Sequence, residues 1–194
     1  MIQPHLESFI GKNVLDLGSG SGVQAFEIAP LARRVLGLES SLQAVEWARA
    51  AAQAQGFANV SFEQAPIGES RAEKLVSNHS WDIAVFNPPM AVPSPGSPRE
   101  HRDGGRLGIE LPLRFLDFSR RHLCAKGEVF CLTTNPIIEG RSDFFENLDP
   151  SQWLTLEKRR LNPSFNQSLY RKQKYSELGI ERVELWYLHL RKRA

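Results

Sequence analysis

Residues 14–22 of this chain read Val14-Leu15-Asp16-Leu17-Gly18-Ser19-Gly20-Ser21-Gly22. The apolar part is typical of a buried β-strand, and the three glycines predict a tight turn that leads into a helix. Glycine adopts positive φ angles and lets bare backbone approach a ligand, while the first amides of the helix are free to donate hydrogen bonds. The segment therefore predicts a ligand-binding turn; the alternative is a turn that needs glycine for its shape alone.

On either side of this turn, short apolar runs alternate with amphipathic segments, a pattern typical of a parallel sheet covered by helices. Strands are predicted at 13–17, 34–38, 60–63, 81–86 and 128–133, and helices at 22–32, 41–55, 67–78 and 109–123. Two later runs, 153–160 and 181–191, predict an antiparallel pair that closes the sheet. The predicted fold is an α/β, three-layer αβα sandwich of the Rossmann-like type, with a seven-stranded, mostly parallel sheet and one antiparallel strand.

Composition predicts one globular domain over residues 1–194, because 41% of the residues are apolar and 24% are charged, as in ordinary single-core proteins. Residues 91–108 are rich in proline and glycine and predict a long substrate loop over the strand ends. Residues 161–180 predict a basic loop between the last two strands.

Several classes of protein are disfavoured. Cys124 and Cys131 provide neither a disulfide framework nor a metal-ligand spacing, and no metal is expected. Residues 1–5 lack the features of a signal peptide, and no apolar run approaches the roughly 20 residues of a membrane span. We therefore expect a cytoplasmic location. His101 lies near acidic residues and could serve as a base or metal ligand, although an exposed loop histidine is the more common interpretation.

The formal net charge of +2 hides an asymmetry, since residues 1–90 hold 6 basic and 9 acidic side chains and residues 91–194 hold 18 and 13. Basic residues can contact phosphates while aromatic residues stack on unpaired bases, so the later half favours RNA; the alternative is an ordinary solvated strand edge. The residues concerned are Lys158, Arg159, Arg160, Phe165, Tyr170, Arg171, Lys172 and Lys174, with Arg99, Arg102 and Arg106 in the proline-rich loop.

The spacing of the glycines distinguishes between cofactors. A dinucleotide fingerprint would place glycine or alanine three positions after Gly20, where this chain has Val23, so a nicotinamide-dependent oxidoreductase is disfavoured. Glu39 ends the second predicted strand and is followed by Ser40. An acidic side chain in that place can accept hydrogen bonds from a ribose diol, the alternative being an exposed carboxylate without such a role.

A second motif, Asn87-Pro88-Pro89-Met90, follows the predicted strand 81–86. The two prolines fix the backbone and remove two amide donors, so the Asn87 side chain and nearby carbonyl oxygens can face an incoming group. An exocyclic amine or a primary amide has two N–H donors, which the Asn87 amide oxygen and the Pro88 carbonyl could accept. The alternative is a turn that merely ends the strand.

The first motif resembles that of the class I S-adenosylmethionine-dependent methyltransferases, in which an acidic residue and G-x-G-x-G follow the first strand and another acidic residue ends the second. The resemblance covers nearly the whole chain and implies S-adenosyl-L-methionine as the cofactor. It implies that Asp16 and the glycine turn surround the methionine part and that Glu39 holds the ribose hydroxyls. The implied cofactor residues are Asp16, Gly18, Ser19, Gly20, Gly22, Glu39, Ser40, Ala65 and Asn87.

The third predicted strand departs from this family pattern. Family members often have an acidic residue there that binds the adenine amino group, whereas this chain has Pro66. Gln64 or local backbone could take the place of that acid.

The second motif is similar to the N-P-P-aromatic signature of amino-methylating enzymes, including release-factor glutamine, adenine and ribosomal RNA guanine methyltransferases. This resemblance implies Asn87 and Pro88 as catalytic residues, with Pro89, Met90 and Asp103 as substrate contacts. Met90 stands where tyrosine or phenylalanine is usual and offers a softer apolar contact.

The expected function is therefore N-methylation of an exocyclic amine or amide nitrogen, with an RNA base as the first choice of acceptor. Alternatives are a protein glutamine or a small-molecule amine; the release-factor substrate is disfavoured because only thirteen residues precede Val14. A different class, a non-catalytic S-adenosylmethionine-binding partner protein, is favoured by Pro66 and Met90.

Overall fold

The structure is a computed structural model that describes residues 1–88, 107–164, 173 and 175–193. The strands are β1 (Asn13–Leu17), β2 (Arg34–Glu39), β3 (Val60–Gln64), β4 (Trp81–Phe86), β5 (Leu123–Ile138), β6 (Arg141–Ser142), β7 (Trp153–Asn162) and β8 (Ile180–Lys192). The helices are α1 (Val23–Ile28), α2 (Leu42–Ala54), α3 (Ser70–Ser77), α4 (Glu110–His122) and α5 (Asp143–Asn147), with a 3₁₀ helix at Gln3–Phe9.

The sheet has the strand order β3-β2-β1-β4-β5-β8-β7. Strands β1 to β5 are parallel, whereas β8 is antiparallel to both of its neighbours. This arrangement confirms the predicted α/β fold with its mostly parallel sheet, and β8 is the antiparallel strand among the seven strands of this order. The short β6 pairs with the end of β5, and neither it nor α5 is long enough to show a period in the sequence.

The bounds of some elements differ from the predicted ones for local reasons. Helix α1 ends at Ile28 because Pro30 has no amide hydrogen with which to extend it. Helix α3 begins at Ser70, after Gly68 with its φ of 91°. Strand β5 is longer than predicted at both ends, because Leu123 pairs with Trp81 of β4 and the stretch from Glu128 to Ile138 pairs with β8.

A hydrophobic core lies on each side of the sheet because side chains alternate along the strands. In β1, Leu15 and Leu17 pack in the cluster that includes residues of α3, α4 and α5, while Val14 packs in the cluster with the 3₁₀ helix, α1 and α2. All three side chains have no exposed surface, and burying each contributes about 1.5–3 kcal/mol. The two cores hold the strands in one register.

The register brings three strand ends together. Leu17, the last residue of β1, lies opposite Leu38 of β2 on one side and Phe86 of β4 on the other. The strand order reverses beside β1, because β2 and β3 lie on one side of it and β4 and β5 lie on the other. Open α/β sheets bind ligands at such a position. The glycine turn and Asn87 therefore leave the sheet side by side.

Candidate active site

The turn after β1 depends on glycine for two reasons. Gly20 has a φ of 54°, and a Cβ atom there would meet no atom within 4 Å, so the turn leaves open space beside its backbone. Gly22 has a φ of 88°, and its Cβ would lie 2.7 Å from the Phe62 ring. Glycine at 22 thus lets the start of α1 lie close against β3, while Gly20 leaves room for a ligand.

Glu39 joins the ends of β1 and β2. One carboxylate oxygen accepts a hydrogen bond from the Gly20 amide at 2.9 Å. The other accepts from the Ser40 hydroxyl at 2.9 Å and from the Ser41 amide at 3.0 Å. A carboxylate has about four acceptor sites, so Glu39 both fixes the turn and keeps capacity for a further donor.

Two buried polar side chains lie under the turn without a hydrogen-bond partner among the described residues. They are Asp16, which has no exposed surface, and Ser19, which is 8% exposed. Burial raises the pKa of Asp16 to about 7; the nearby Ala25 amide lowers it in part, and the negative charge of Glu39 raises it. Buried polar groups are normally paired, so an unpaired carboxyl and hydroxyl here fit a ligand that brings donors of its own.

A cavity of about 590 Å³ opens at these strand ends, within the range of small-molecule sites, about 300–1,000 Å³. The predicted residues that line it are Gly18, Gly20, Glu39, Ser40, Ala65 and Asn87. The other predicted cofactor residues, Asp16, Ser19 and Gly22, are not among the lining residues. The open backbone, the unpaired buried carboxyl and the carboxylate at the end of β2 together fit the predicted cofactor.

The third strand contributes in a way that the family pattern does not predict. Gln64 donates a hydrogen bond to the Ser40 carbonyl at 3.1 Å, and the Ala65 amide donates to the Glu39 carbonyl at 2.9 Å. These bonds use donors only, so the Gln64 amide oxygen keeps its acceptor capacity, although Gln64 is not among the residues that line the cavity. Pro66 lines the cavity, and Glu69 is the acidic side chain that lines it beyond β3.

Sequence reasoning missed half of the lining. The missed residues are Leu38, Pro66 as a wall of the cavity, Ile67, Glu69, Phe86, Leu111 and Arg114. Leu111 and Arg114 lie on α4, far along the chain, and no local pattern connects them with the glycine turn. Glu69 could have been found as the first acid after Pro66.

Asn87 directly follows β4 and lines the same cavity as Gly18 and Gly20. Its side chain is exposed whereas Pro88 is buried, so the amide is accessible to an acceptor and the proline anchors it. Pro89, Met90, His101 and Asp103, and most of the loop 91–108, lie outside the described residues.

The predicted basic segment is described in part. Lys158, Arg159 and Arg160 lie on β7, whereas the residues from Phe165 to Lys172, and Lys174, fall outside the described ranges. The arginines Arg99, Arg102 and Arg106 fall outside them as well.

Within the described ranges, no group of three or more acidic, histidine or cysteine side chains could hold a metal ion. No helix there is long and apolar enough to cross a membrane. A second cavity, of about 620 Å³, lies at the opposite edge of the sheet and is lined by Arg33, Arg34 and His79 among others. It is remote from the glycine turn because it surrounds the first residues of the strands.

A family model described as a methyltransferase domain matches residues 9–110. The chain is similar to the tRNA1(Val) (adenine(37)-N6)-methyltransferase of Porphyromonas gingivalis, with 36% identity over 111 residues, which is 55% of this chain and 43% of that protein. It is also similar to the ubiquinone biosynthesis O-methyltransferase of Acinetobacter baylyi, with 32% identity over 97 residues, 50% of this chain and 40% of that protein. The chain thus spans less than half the length of these relatives.

The crystal structure of SMU.776 in complex with SAH has the same fold. It superposes on this chain with a TM-score of 0.65 at 14% sequence identity, covering 98% of this chain and 48% of that one.

Proposed function

This chain belongs to the methyltransferase domain family, a family of S-adenosylmethionine-dependent enzymes, and we propose that it methylates the exocyclic nitrogen of an RNA base. The observation that supports this most directly is the position of Asn87. An exposed amide lies in the lining of the cavity that also contains Gly18, Gly20 and Glu39. One cavity can therefore receive both the methyl donor and the acceptor.

We propose that the cofactor is held by Asp16, Ser19, Glu39 and the backbone of the glycine turn. The buried Asp16 carboxyl and Ser19 hydroxyl lie within two residues of the lining residue Gly18 and lack partners among the described residues. They would pair with polar groups of a cofactor that reaches past the lining. Glu39 keeps acceptor capacity for hydroxyl donors beside Ser40. Glu69, which lines the cavity beyond Pro66, is the acid we propose for an amino donor at that end. When bound, S-adenosylmethionine supplies a methyl group on a positively charged sulfur.

The amide oxygen of Asn87 and the carbonyl of Pro88 act on the acceptor. Two carbonyl oxygens that accept the two N–H groups of an exocyclic amine fix its orientation, so the nitrogen lone pair points into the cavity. After transfer the nitrogen carries one N–H proton too many; these neutral oxygens hold it by a hydrogen bond until it passes to solvent water. Orientation of this kind can contribute about 7–11 kcal/mol to a reaction, so the chemistry requires positioning by Asn87 rather than a nucleophilic side chain.

RNA is the proposed acceptor for two reasons. The relative that matches at 36% identity is a tRNA adenine-N6 methyltransferase, and the later half of this chain has a surplus of basic residues. A protein amide and a small-molecule amine are the competing acceptors.

One labelling experiment separates these acceptors. Purified protein is incubated with cell extract and methyl-tritiated S-adenosylmethionine, and the labelled product is treated with ribonuclease, with protease, or passed through a size filter. We expect ribonuclease to release the label. Release by protease or passage through the filter would contradict an RNA acceptor, and cofactor binding by calorimetry without any transfer would identify a non-catalytic partner protein.

The role of Asn87 is tested by Asn87→Ala. The variant should bind S-adenosylmethionine like the wild type but transfer methyl groups at least about tenfold more slowly, because it loses one of the two acceptor oxygens. Asn78→Ala, at the exposed end of α3, is the matched control and should retain full activity. Unchanged turnover of Asn87→Ala would contradict the proposed role.

A further inference from the structure

Two arginines bond one buried carboxylate at the antiparallel end of the sheet, and a lysine packs beside them. Glu184 of β8 is 3% exposed and accepts hydrogen bonds from Arg160 at 3.1 Å and from Arg182 at 3.5 Å. Its other oxygen accepts from the indole N–H of Trp186 at 2.9 Å. The Lys158 ammonium lies 4.8 Å from the centre of the Trp186 ring. We call Lys158, Arg160 and Arg182 the basic cluster.

The cluster carries more positive charge than Glu184 can neutralise. Burial by itself would raise the pKa of Glu184, but hydrogen bonds from Trp186, Asn135 and Arg160 outweigh it and hold that pKa below its usual range. Glu184 thus stays ionised and contributes one negative charge against three cations. Lys158 contacts aromatic faces, with its ammonium 3.3 Å from the centre of the Phe145 ring, and makes no ion pair with a described carboxylate.

The geometry also leaves hydrogen-bond donors free. A guanidinium has five N–H donors, and within the described ranges each arginine of the cluster directs one nitrogen to Glu184. The side chains of Arg160 and Arg182 are 50% and 49% exposed. Glu184 therefore holds one nitrogen of each guanidinium group, while about half of each arginine side chain stays exposed, an arrangement suited to phosphate oxygens.

The basic cluster lies at the same end of the strands as Asn87, which follows the last residue of β4. Phe86, the residue before Asn87, lies opposite Cys131 of β5, and Trp186 lies opposite Thr133 of β5 and Arg160 of β7. Neighbouring strands are about 4.8 Å apart, so β8 and β7 lie roughly 10–15 Å to the side of β4. A single-stranded segment that presents a base to Asn87 can reach that far.

We propose that Lys158, Arg160 and Arg182 bind backbone phosphates of the RNA that presents its base to Asn87. This inference rests on the proposed function. The inference applies to only part of the basic segment predicted from the sequence. Arg159 lies on the other face of β7, where it pairs with Glu157 at 3.6 Å and lies over the Tyr187 ring. Arg159 is thus excluded from the phosphate site although it is the immediate neighbour of two cluster residues.

The test measures binding of purified total tRNA to the full chain by fluorescence anisotropy at several salt concentrations. Arg160→Gln/Arg182→Gln should weaken binding about tenfold or more at low salt. It should also lower the slope of log affinity against log salt by about 1.4, because each contact to a single strand contributes about 0.7. Arg159→Gln is the matched control and should bind tRNA like the wild type.

The double variant leaves Glu184 without its two guanidinium partners, so Lys158→Gln, which removes no hydrogen bond to Glu184, is measured beside it. It should lower the salt slope by about 0.7. Unchanged binding by both variants, equal weakening by Arg159→Gln, or no binding of tRNA by the wild type would overturn the basic cluster as a phosphate site. Cluster-dependent tRNA binding without methyl transfer to RNA would leave the cluster standing and contradict the proposed function instead.

Discussion

The Asp16 carboxyl destabilises the folded protein when it is ionised, because it is fully buried and the nearby Ala25 amide offsets only part of the lost solvation. Its pKa rises from 3.8 to about 7 on folding. Between these pH values the unfolded chain releases a proton that the folded protein retains. The free energy of unfolding therefore falls as pH rises through this interval, by up to roughly 1.4 kcal/mol per pH unit, and stays lowered above it.

Asp16→Asn removes this titration and should unfold with a higher free energy than the wild type at pH 8, by a few kcal/mol. The difference should shrink at pH 5, and urea unfolding at both pH values measures it. The same variant should bind S-adenosylmethionine about tenfold or more weakly, since a charged hydrogen bond is lost. Asp117→Asn, on an exposed side chain, is the control; a stability difference that does not change with pH would contradict the assignment.

Single residues also show how far the sequence predicts the site. The roles expected for Gly18, Gly20, Glu39 and Asn87 depend on motifs at strand ends, and all four line one cavity. Glu184 could not be singled out, because it stands in an alternating run and acquires its partners only when β7 and β5 pair with β8. Arg160 and Arg182 are 22 positions apart in the chain and meet through that pairing alone.

Strand β2 supports the site through a glycine at its middle. Gly37 lies opposite Asp16 in β1 and Phe62 in β3. A Cβ atom there would lie 2.4 Å from the Phe62 ring and 2.8 Å from the Ser19 hydroxyl oxygen. The missing side chain thus makes room for the Phe62 ring and for the Ser19 hydroxyl, which lies in the glycine turn.

Gly37→Ala should therefore force Phe62 and Ser19 to move, lowering the free energy of unfolding by about 1–3 kcal/mol and weakening S-adenosylmethionine binding. Urea unfolding and calorimetry give the two quantities. Gly140→Ala is the comparison: its φ of 73° is strained for alanine but no atom lies within 4 Å. It should cost stability, by about 1–2 kcal/mol, without affecting the cofactor. Equal loss of affinity in both variants would contradict a specific role of the space beside Gly37 in cofactor binding.

Elements of ordinary length were predictable because their periods are visible over several residues, as in α2 and β4. The ends of other elements were not predictable. Pro30 and Gly68 set the end of α1 and the start of α3 through backbone geometry, and the length of β5 depends in part on its pairing with β8. The contribution of α4 to the cavity was also hidden. Its first turn is fixed by the Glu110 carboxylate, which accepts from the Leu107 amide at 3.1 Å, and by the Thr134 hydroxyl, which donates to the Gly108 carbonyl at 2.9 Å.

For the molecule as a whole, the strand order connects cofactor binding to stability. The cavity is formed by residues that leave β1, β2, β3 and β4 and by α4, so a ligand that fills it binds only the folded sheet. S-adenosylmethionine at 100 times its dissociation constant should then raise the free energy of unfolding by about 2.7 kcal/mol. Thermal unfolding should show this rise for the wild type and for Asn87→Ala alike, and NAD should give none. Protection by NAD would favour the oxidoreductase that Val23 disfavours.

The placement of β8 between β5 and β7 affects how the chain can be assembled during translation. Strand β7 has β8 as its partner in the described sheet, and β5 bonds β8 along its free side. A nascent chain that has emerged only as far as residue 179 therefore carries a long unpaired strand edge on an otherwise formed sheet, and such an edge can pair with another polypeptide. Pairing of β8 with β5 and β7, rather than formation of the glycine turn, covers this edge and removes the risk of aggregation through it.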